Sequence, residues 1–135
     1  MLHINNIKYL VVHCSDTADN QDLSGIDIHK MHLSFGWDGI GYHKIIKRDG
    51  IIENGRPEFW VGAHVRTMNN NSLGVCLIGR NKFSNEQFIS LEIILLNWKK
   101  KYPYSKILGH RDIIKTHKTC PNFDVKKWCK ERGLI

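Results

Sequence analysis

Ile7-Lys8-Tyr9-Leu10-Val11-Val12-His13 is the stretch on which the fold turns. Its β-branched and aromatic residues run almost without polar interruption, the pattern of a strand covered on both faces. Leu73 to Ile78 repeats that pattern, and Lys106 to Gly109 is a third, shorter instance. Tyr42 to Arg48 reads as a strand, with Asp49-Gly50 as a hairpin turn into Ile51-Ile52. Strands of this kind need helices to cover them, and the helix signals lie between them. Ser24 with Asp27 three positions on is a capping-box variant. Ile28 and Met31 follow as an apolar stripe, and Gly36 ends the helix. Ser84 with Gln87 is a second capping box. Phe88, Leu91, Leu95, Trp98 and Tyr102 then recur at three- and four-residue steps, which predicts the longest helix, amphipathic and stopped by Pro103. Asp124 caps a last helix that ends near Gly133. Loops fill Asn54 to Ser72 and the stretch from Gly109 to Pro121. The expected fold class is α+β with α/β-like character: a single domain over 1–135, with a central mixed β-sheet flanked by helices.

Composition agrees with that frame. A chain of 135 residues is one domain by size. Its 41% hydrophobic and 24% charged residues exclude a disordered chain. No apolar run approaches the ~20 residues of a membrane span, which excludes a helical membrane protein. Met1-Leu2-His3-Ile4-Asn5-Asn6 has no basic, apolar signal-peptide pattern, so the expected location is cytoplasmic. The net charge of +7 suits a polyanion: nucleic acid, anionic lipid or an acidic cell-wall polymer. A solvated lysine-rich surface accounts for it equally. No aromatic platform or recognition helix supports nucleic acid. Cys14, Cys76, Cys120 and Cys129 form no C-x-x-C pair, so a zinc ribbon has no anchor and disulfides are not expected.

Among the eight histidines, two stand where chemistry is built. His13 ends the first buried strand and His110 the last. Cys120 lies in the loop beyond, braced by Pro121. Two imidazoles and a thiolate suit zinc and leave a fourth position for water. That water would be acidified toward neutrality and a carbonyl polarised. The same residues also read as hydrogen-bonded core histidines and an inert buried thiol.

Seven motifs occur in order: Val11-Val12-His13-Cys14-Ser15, Gly41-Tyr42-His43, Lys47-Arg48-Asp49-Gly50, Val61-Gly62-Ala63-His64, Asn71-Ser72-Leu73-Gly74-Val75, Gly109-His110-Arg111-Asp112 and Lys118-Thr119-Cys120-Pro121. Together, from about Ile7 to Trp128, they resemble the type-2 N-acetylmuramoyl-L-alanine amidase family, which also contains peptidoglycan recognition proteins. Cys120-Pro121-Asn122-Phe123-Asp124 and the compact form are most similar to small bacteriophage lysozymes of the amidase type. The resemblance implies an enzyme that cleaves the amide between the lactyl group of N-acetylmuramic acid and the L-alanine of the stem peptide. It implies one zinc ion held by His13, His110 and Cys120, and assistance from Tyr42 and Lys118. Lys118 would stabilise an oxyanion. Tyr42 would orient or deprotonate water, or hydrogen-bond developing charge. His64 and Asn71 belong to a region that borders the substrate groove in the family. Ile113-Ile114-Lys115-Thr116-His117 departs from the usual pattern, so His117 stands as a competitor to His110.

The implied setting is a phage or prophage endolysin that accumulates in the cytoplasm until released to the wall, with no separate wall-binding domain. It would act as a monomer on peptidoglycan, with neither membrane nor nucleic acid as partner. Two alternatives accompany it: a regulatory protein that restrains a phage RNA polymerase, and a non-catalytic peptidoglycan binder. The remaining candidates read as structural. His43 should face away from Tyr42 on a strand. His29 and His32 share a helix face. Cys14 should point away from the metal, Cys76 and Cys129 should pack in the core, and Asp112 should stabilise a turn or brace a ligand. Lys99-Lys100-Lys101 suits a helix C-terminus.

Overall fold

In the computed structural model, which describes residues 1–2, 4–113 and 119–135, the apolar stretch after Lys8 forms β1 (Tyr9–Cys14). Along the chain follow α1 (Gly25–Ser34), β2 (Lys44–Ile46), β3 (Ile52–Asn54), β4 (Ser72–Leu77), α2 (Asn85–Lys101), β5 (Lys106–Gly109), α3 (His110–Ile113) and α4 (Val125–Glu131). The five strands form one mixed sheet in the order β3-β2-β4-β1-β5. β1 pairs in parallel with β4 and β5, β4 pairs in parallel with β2, and only the β2–β3 hairpin is antiparallel. Leu10, Val11 and Val12 are wholly buried, as the unbroken apolar run requires of a strand paired on both edges and covered on both faces.

The two faces carry different cargo. Leu10, Val12, Leu73, Val75, Leu77 and Ile46 pack with Leu91, Ile94, Leu95 and Trp98 of α2 and with Val125, Trp128 and Cys129 of α4. Each such side chain contributes roughly 1.5–3 kcal/mol when fully buried. On the opposite face Ile28 of α1 packs against Ile45 and Ile78. Strand alternation turns His13 and its register partner Cys76 toward the α1 side, away from the larger core. His13 therefore stands on the face covered by α1, apart from the larger core.

Helix ends follow the sequence closely. Ser84 caps α2 by accepting from the Gln87 backbone at 3.1 Å, and Gln87 Oε1 accepts from the Ser84 N–H at 3.0 Å. The same Gln87 amide donates to the Ile78 carbonyl at 2.8 Å, so one residue caps the helix and ties it to the sheet. In α1 the Ser24 N–H donates to Asp27 at 2.9 Å, and Asp124 accepts from the Lys127 N–H at 3.0 Å to cap α4. Two expectations shift. β2 spans Lys44–Ile46 rather than Tyr42 to Arg48: before it the Gly41 carbonyl accepts from the Ala63 N–H at 3.0 Å, and after it the Lys47 N–H turns to the Ile51 carbonyl at 2.9 Å. A short α3 also stands where a plain loop was expected. Among the described residues no helix is long and apolar enough to cross a membrane.

Candidate metal centre and active site

β1 and β5 run side by side with Val12 opposite Gly109. His13, the next residue of β1, and His110, which opens α3 directly after β5 rather than ending the strand, therefore stand close together at the C-terminal edge of the sheet. Ligand sites in sheets with parallel strands gather at this edge. Their ring centroids lie 4.7 Å apart. Asp112 fixes the turn into α3 by accepting from the Gly109 N–H at 2.8 Å. The Arg111 N–H donates to the Cys120 carbonyl at 2.8 Å, which draws the returning loop back over the strand ends. There the Cys120 sulfur accepts from the Cys14 N–H at 3.2 Å. One ligand atom from each of His13, His110 and Cys120 then lies within 4.8 Å of the other two.

This donor set fits zinc. Two imidazoles and one thiol are borderline-soft ligands, and a tetrahedral ion at about 2.0–2.3 Å from each asks for ligand separations of roughly 3.3–3.8 Å. Small side-chain rotations close that gap. Three protein ligands leave the fourth position open toward a cleft of about 470 Å³, walled by Trp37, Tyr42, Ala63, Thr119 and Asn122 among others.

Burial sets the protonation of the cluster. His13 is held well below the ordinary histidine value by desolvation, with the neighbouring His64 and His110 adding to it. His64 is pushed down to about 3, first by burial and then by His43 and His110. Both rings are therefore neutral at working pH, the form that binds metal. A hydrogen bond with the Cys14 thiol, and then burial, push the Cys120 thiol up. Tyr42 packs its ring 5.1 Å from that of His13. Burial, followed by the thiols of Cys76, Cys120 and Cys14, raises its phenol well above the usual tyrosine value. The phenol keeps its proton and serves as a hydrogen-bond donor.

Of the candidates read from sequence, the structure brings together His13, His110, Cys120, Tyr42 and His64. His64 lines the cleft although it is largely buried, with His13 Nε2 2.9 Å from its Nδ1 and Ser72 Oγ 3.2 Å from its Nε2. Asn71 is not brought to the cleft. It sits beside Ser72 at the start of β4, whereas the cluster stands at the far end, where His13 faces Cys76. Lys118 and its neighbour His117 lie outside the described residues. His43 is structural as expected: its Nε2 meets the Trp60 carbonyl at 2.8 Å and its Nδ1 accepts from the Gly74 N–H.

Cys14 corrects its expectation. It is buried, yet it lines the cleft, because Cys120 arrives across the end of β1 and its sulfur accepts from the Cys14 N–H at 3.2 Å. Sequence reasoning also passed over Trp37 and Asn122. Trp37 stands directly after the helix-ending Gly36, 43% exposed at the cleft wall. Asn122, at φ +68°, follows Cys120-Pro121 and donates to the Arg80 carbonyl at 2.7 Å. Proximity to an already named motif was the available signal for both.

Known proteins resemble this chain in sequence and fold. The N-acetylmuramoyl-L-alanine amidase family profile matches residues 4–123. The endolysin of Enterobacteria phage T3 is 40% identical over 134 residues, spanning 93% of this chain and 87% of that protein. The solved structure of N-acetylmuramoyl-L-alanine amidase LysC from Clostridium intestinale superposes with a TM-score of 0.85 at 28% identity, covering 100% of this chain and 91% of that one. Wild-type Drosophila PGRP-LB does so with a TM-score of 0.80 at 25% identity, covering 96% and 82%. The ordered motifs, the sheet that carries them and these matches agree, and the chain belongs to the N-acetylmuramoyl-L-alanine amidase family.

Proposed function

We propose that the chain is a zinc-dependent peptidoglycan hydrolase. In this reading it cleaves the amide between the lactyl group of N-acetylmuramic acid and the L-alanine of the stem peptide, in the service of a phage or prophage endolysin. The observation that carries the proposal is the convergence of His13, His110 and Cys120 within 4.8 Å at the floor of an open cleft. A zinc ion bound there supplies Lewis acidity to the amide carbonyl and acidifies a water.

The chain's own residues do the rest. The cleft places the scissile amide against the metal ligands, which converts a bimolecular encounter into a positioned one. Tyr42, whose ring lies 5.1 Å from that of His13 and whose phenol is pushed up by burial, would donate a hydrogen bond to negative charge developing on the amide oxygen. Lys118, two residues before Cys120 in sequence, would by the family resemblance supply a cation for the same developing charge. The surplus of 20 basic over 13 acidic residues draws the protein to an anionic wall.

The test is incubation of purified protein with sacculi, with and without a chelator, followed by labelling of new amino termini. Free L-alanine termini that vanish on chelation and return with zinc are expected. Activity that survives chelation unchanged, or that exposes reducing sugar ends instead, overturns the proposal.

A further inference from the structure

We propose that His64 is a positioning residue which fixes the proton on Nε2 of His13 and thereby presents Nδ1 of His13 to the metal. The inference rests on the zinc reading above and extends it from His13 as a ligand to the atom that ligates.

It follows from tracing one chain of hydrogen bonds from its far end. Ser72 Oγ lies 2.6 Å from the Met68 carbonyl oxygen. A carbonyl offers no hydrogen, so the single hydroxyl proton of Ser72 must lie between them. Ser72 Oγ therefore meets His64 Nε2, 3.2 Å away, with a lone pair, and Nε2 of His64 carries the proton. A buried neutral imidazole holds one ring proton, so Nδ1 of His64 is an acceptor. That atom lies 2.9 Å from Nε2 of His13. The proton in this last bond belongs to His13, and Nδ1 is the nitrogen of His13 left with a lone pair. No other assignment gives every contact in the chain one hydrogen.

The scaffold holds this relay rigidly. Ser72 is wholly buried at the first position of β4, in register with Tyr9 of β1. Asn69 Oδ1 accepts from the N–H groups of both His64 and Val65 at 2.9 Å, which pins the backbone beneath the ring. The ring also passes so close to two glycines that a Cβ would lie 2.7 Å from it at Gly62 and 2.6 Å from it at Gly74. A histidine ring ligated through one nitrogen commonly donates from the other to a fixed acceptor, and loss of that acceptor lowers metal affinity about 10–100-fold. Here a second histidine fills a role more often taken by a carboxylate or a carbonyl. It therefore adds no negative charge to the site.

Two measurements test this. Heteronuclear NMR of the histidine ring nitrogens in the metal-free protein near neutral pH should show His13 and His64 both neutral and both protonated on Nε2. A proton on Nδ1 of His13 overturns the proposal without any variant being made. Zinc affinity by chelator competition should then fall about 10–100-fold in His64→Leu. His64→Asn, whose Oδ1 can stand in for Nδ1 as acceptor, should recover most of the loss. Equal affinity of the Leu variant and the unaltered protein, or equal loss in folded Asn and Leu variants, refutes the positioning role. An unaltered protein that shows Nε2–H on His13 yet binds no zinc sinks the metal reading and leaves the proton assignment standing.

Discussion

Gly74→Ala tests whether packing, and not hydrogen bonding alone, holds the His64 ring in place. Gly74 sits within β4 and has no positive φ, so alanine adds a methyl group without backbone strain. That methyl would lie 2.6 Å from Nδ1 and 2.7 Å from Cγ of His64. Apolar contacts settle at about 3.5 Å, so the ring must retreat by roughly 0.9 Å. Along the bond to His13, now 2.9 Å, such a retreat passes the ~3.5 Å beyond which a hydrogen bond is no longer made. Overpacking costs about 1–3 kcal/mol, and the lost bond about 1 kcal/mol more. For a domain of this size the two together lower the melting temperature by roughly 10 °C. Zinc affinity should drop about 10–100-fold with it. Thermal melts of the metal-free protein and chelator competition read the two effects separately. A folded Gly74→Ala variant with unchanged melting temperature and full zinc affinity would falsify the clamp argument, since the ring would then have room to spare.

Other expectations are simpler to read. Cys120→Ser should remove bound zinc and cleavage together while leaving the larger core intact, measured by metal analysis and circular dichroism. Tyr42→Phe should spare zinc and slow cleavage by about 10²–10³-fold, the usual effect of losing one donor to a developing oxyanion; a rate within twofold removes Tyr42 from the chemistry. Lys118→Ala should likewise spare zinc and lower kcat more than it changes KM. Metal-free protein should weaken in acid. His13, His43 and His64 all have folded-state values below the unfolded 6.5. The unfolded chain therefore binds protons first, and stability complete above about pH 6.5 is lost as pH falls toward their folded values. Each group adds up to ~1.4 kcal/mol per pH unit over that interval. Urea midpoints that stay flat between neutral pH and pH 5 contradict the neutral-histidine account.

Local signals carried most of the fold. β5 spans Lys106–Gly109 as expected, because an apolar run between a turn and a glycine has few other ways to fold. Both capping boxes appear at Ser24 and Ser84, since a cap is decided within four residues. Misses came where distant backbone intervenes. Tyr42 falls outside β2 because the neighbouring Gly41 answers to Ala63, some twenty residues on. Cys14 lies on β1, yet its backbone N–H meets a sulfur that arrives 106 residues later. The residue types of the candidate cluster His13, His110 and Cys120 were readable at or just after strand ends, whereas the hydrogen bonds through His64 and Ser72 were not. A hydrogen bond between His13 and a residue 51 positions away leaves no periodicity for sequence to display.

The same long separations bear on how the protein comes into being. His13 lies on β1, between β4 and β5, and is made first, while Cys120 comes from a loop over a hundred residues later. During synthesis β1 has neither neighbour until β4 and then β5 have been made, and the metal pocket lacks its sulfur until later still. Contacts of such sequence separation form late and slowly. The nascent polypeptide thus cannot assemble the His13, His110 and Cys120 cluster until nearly the whole fold has been made.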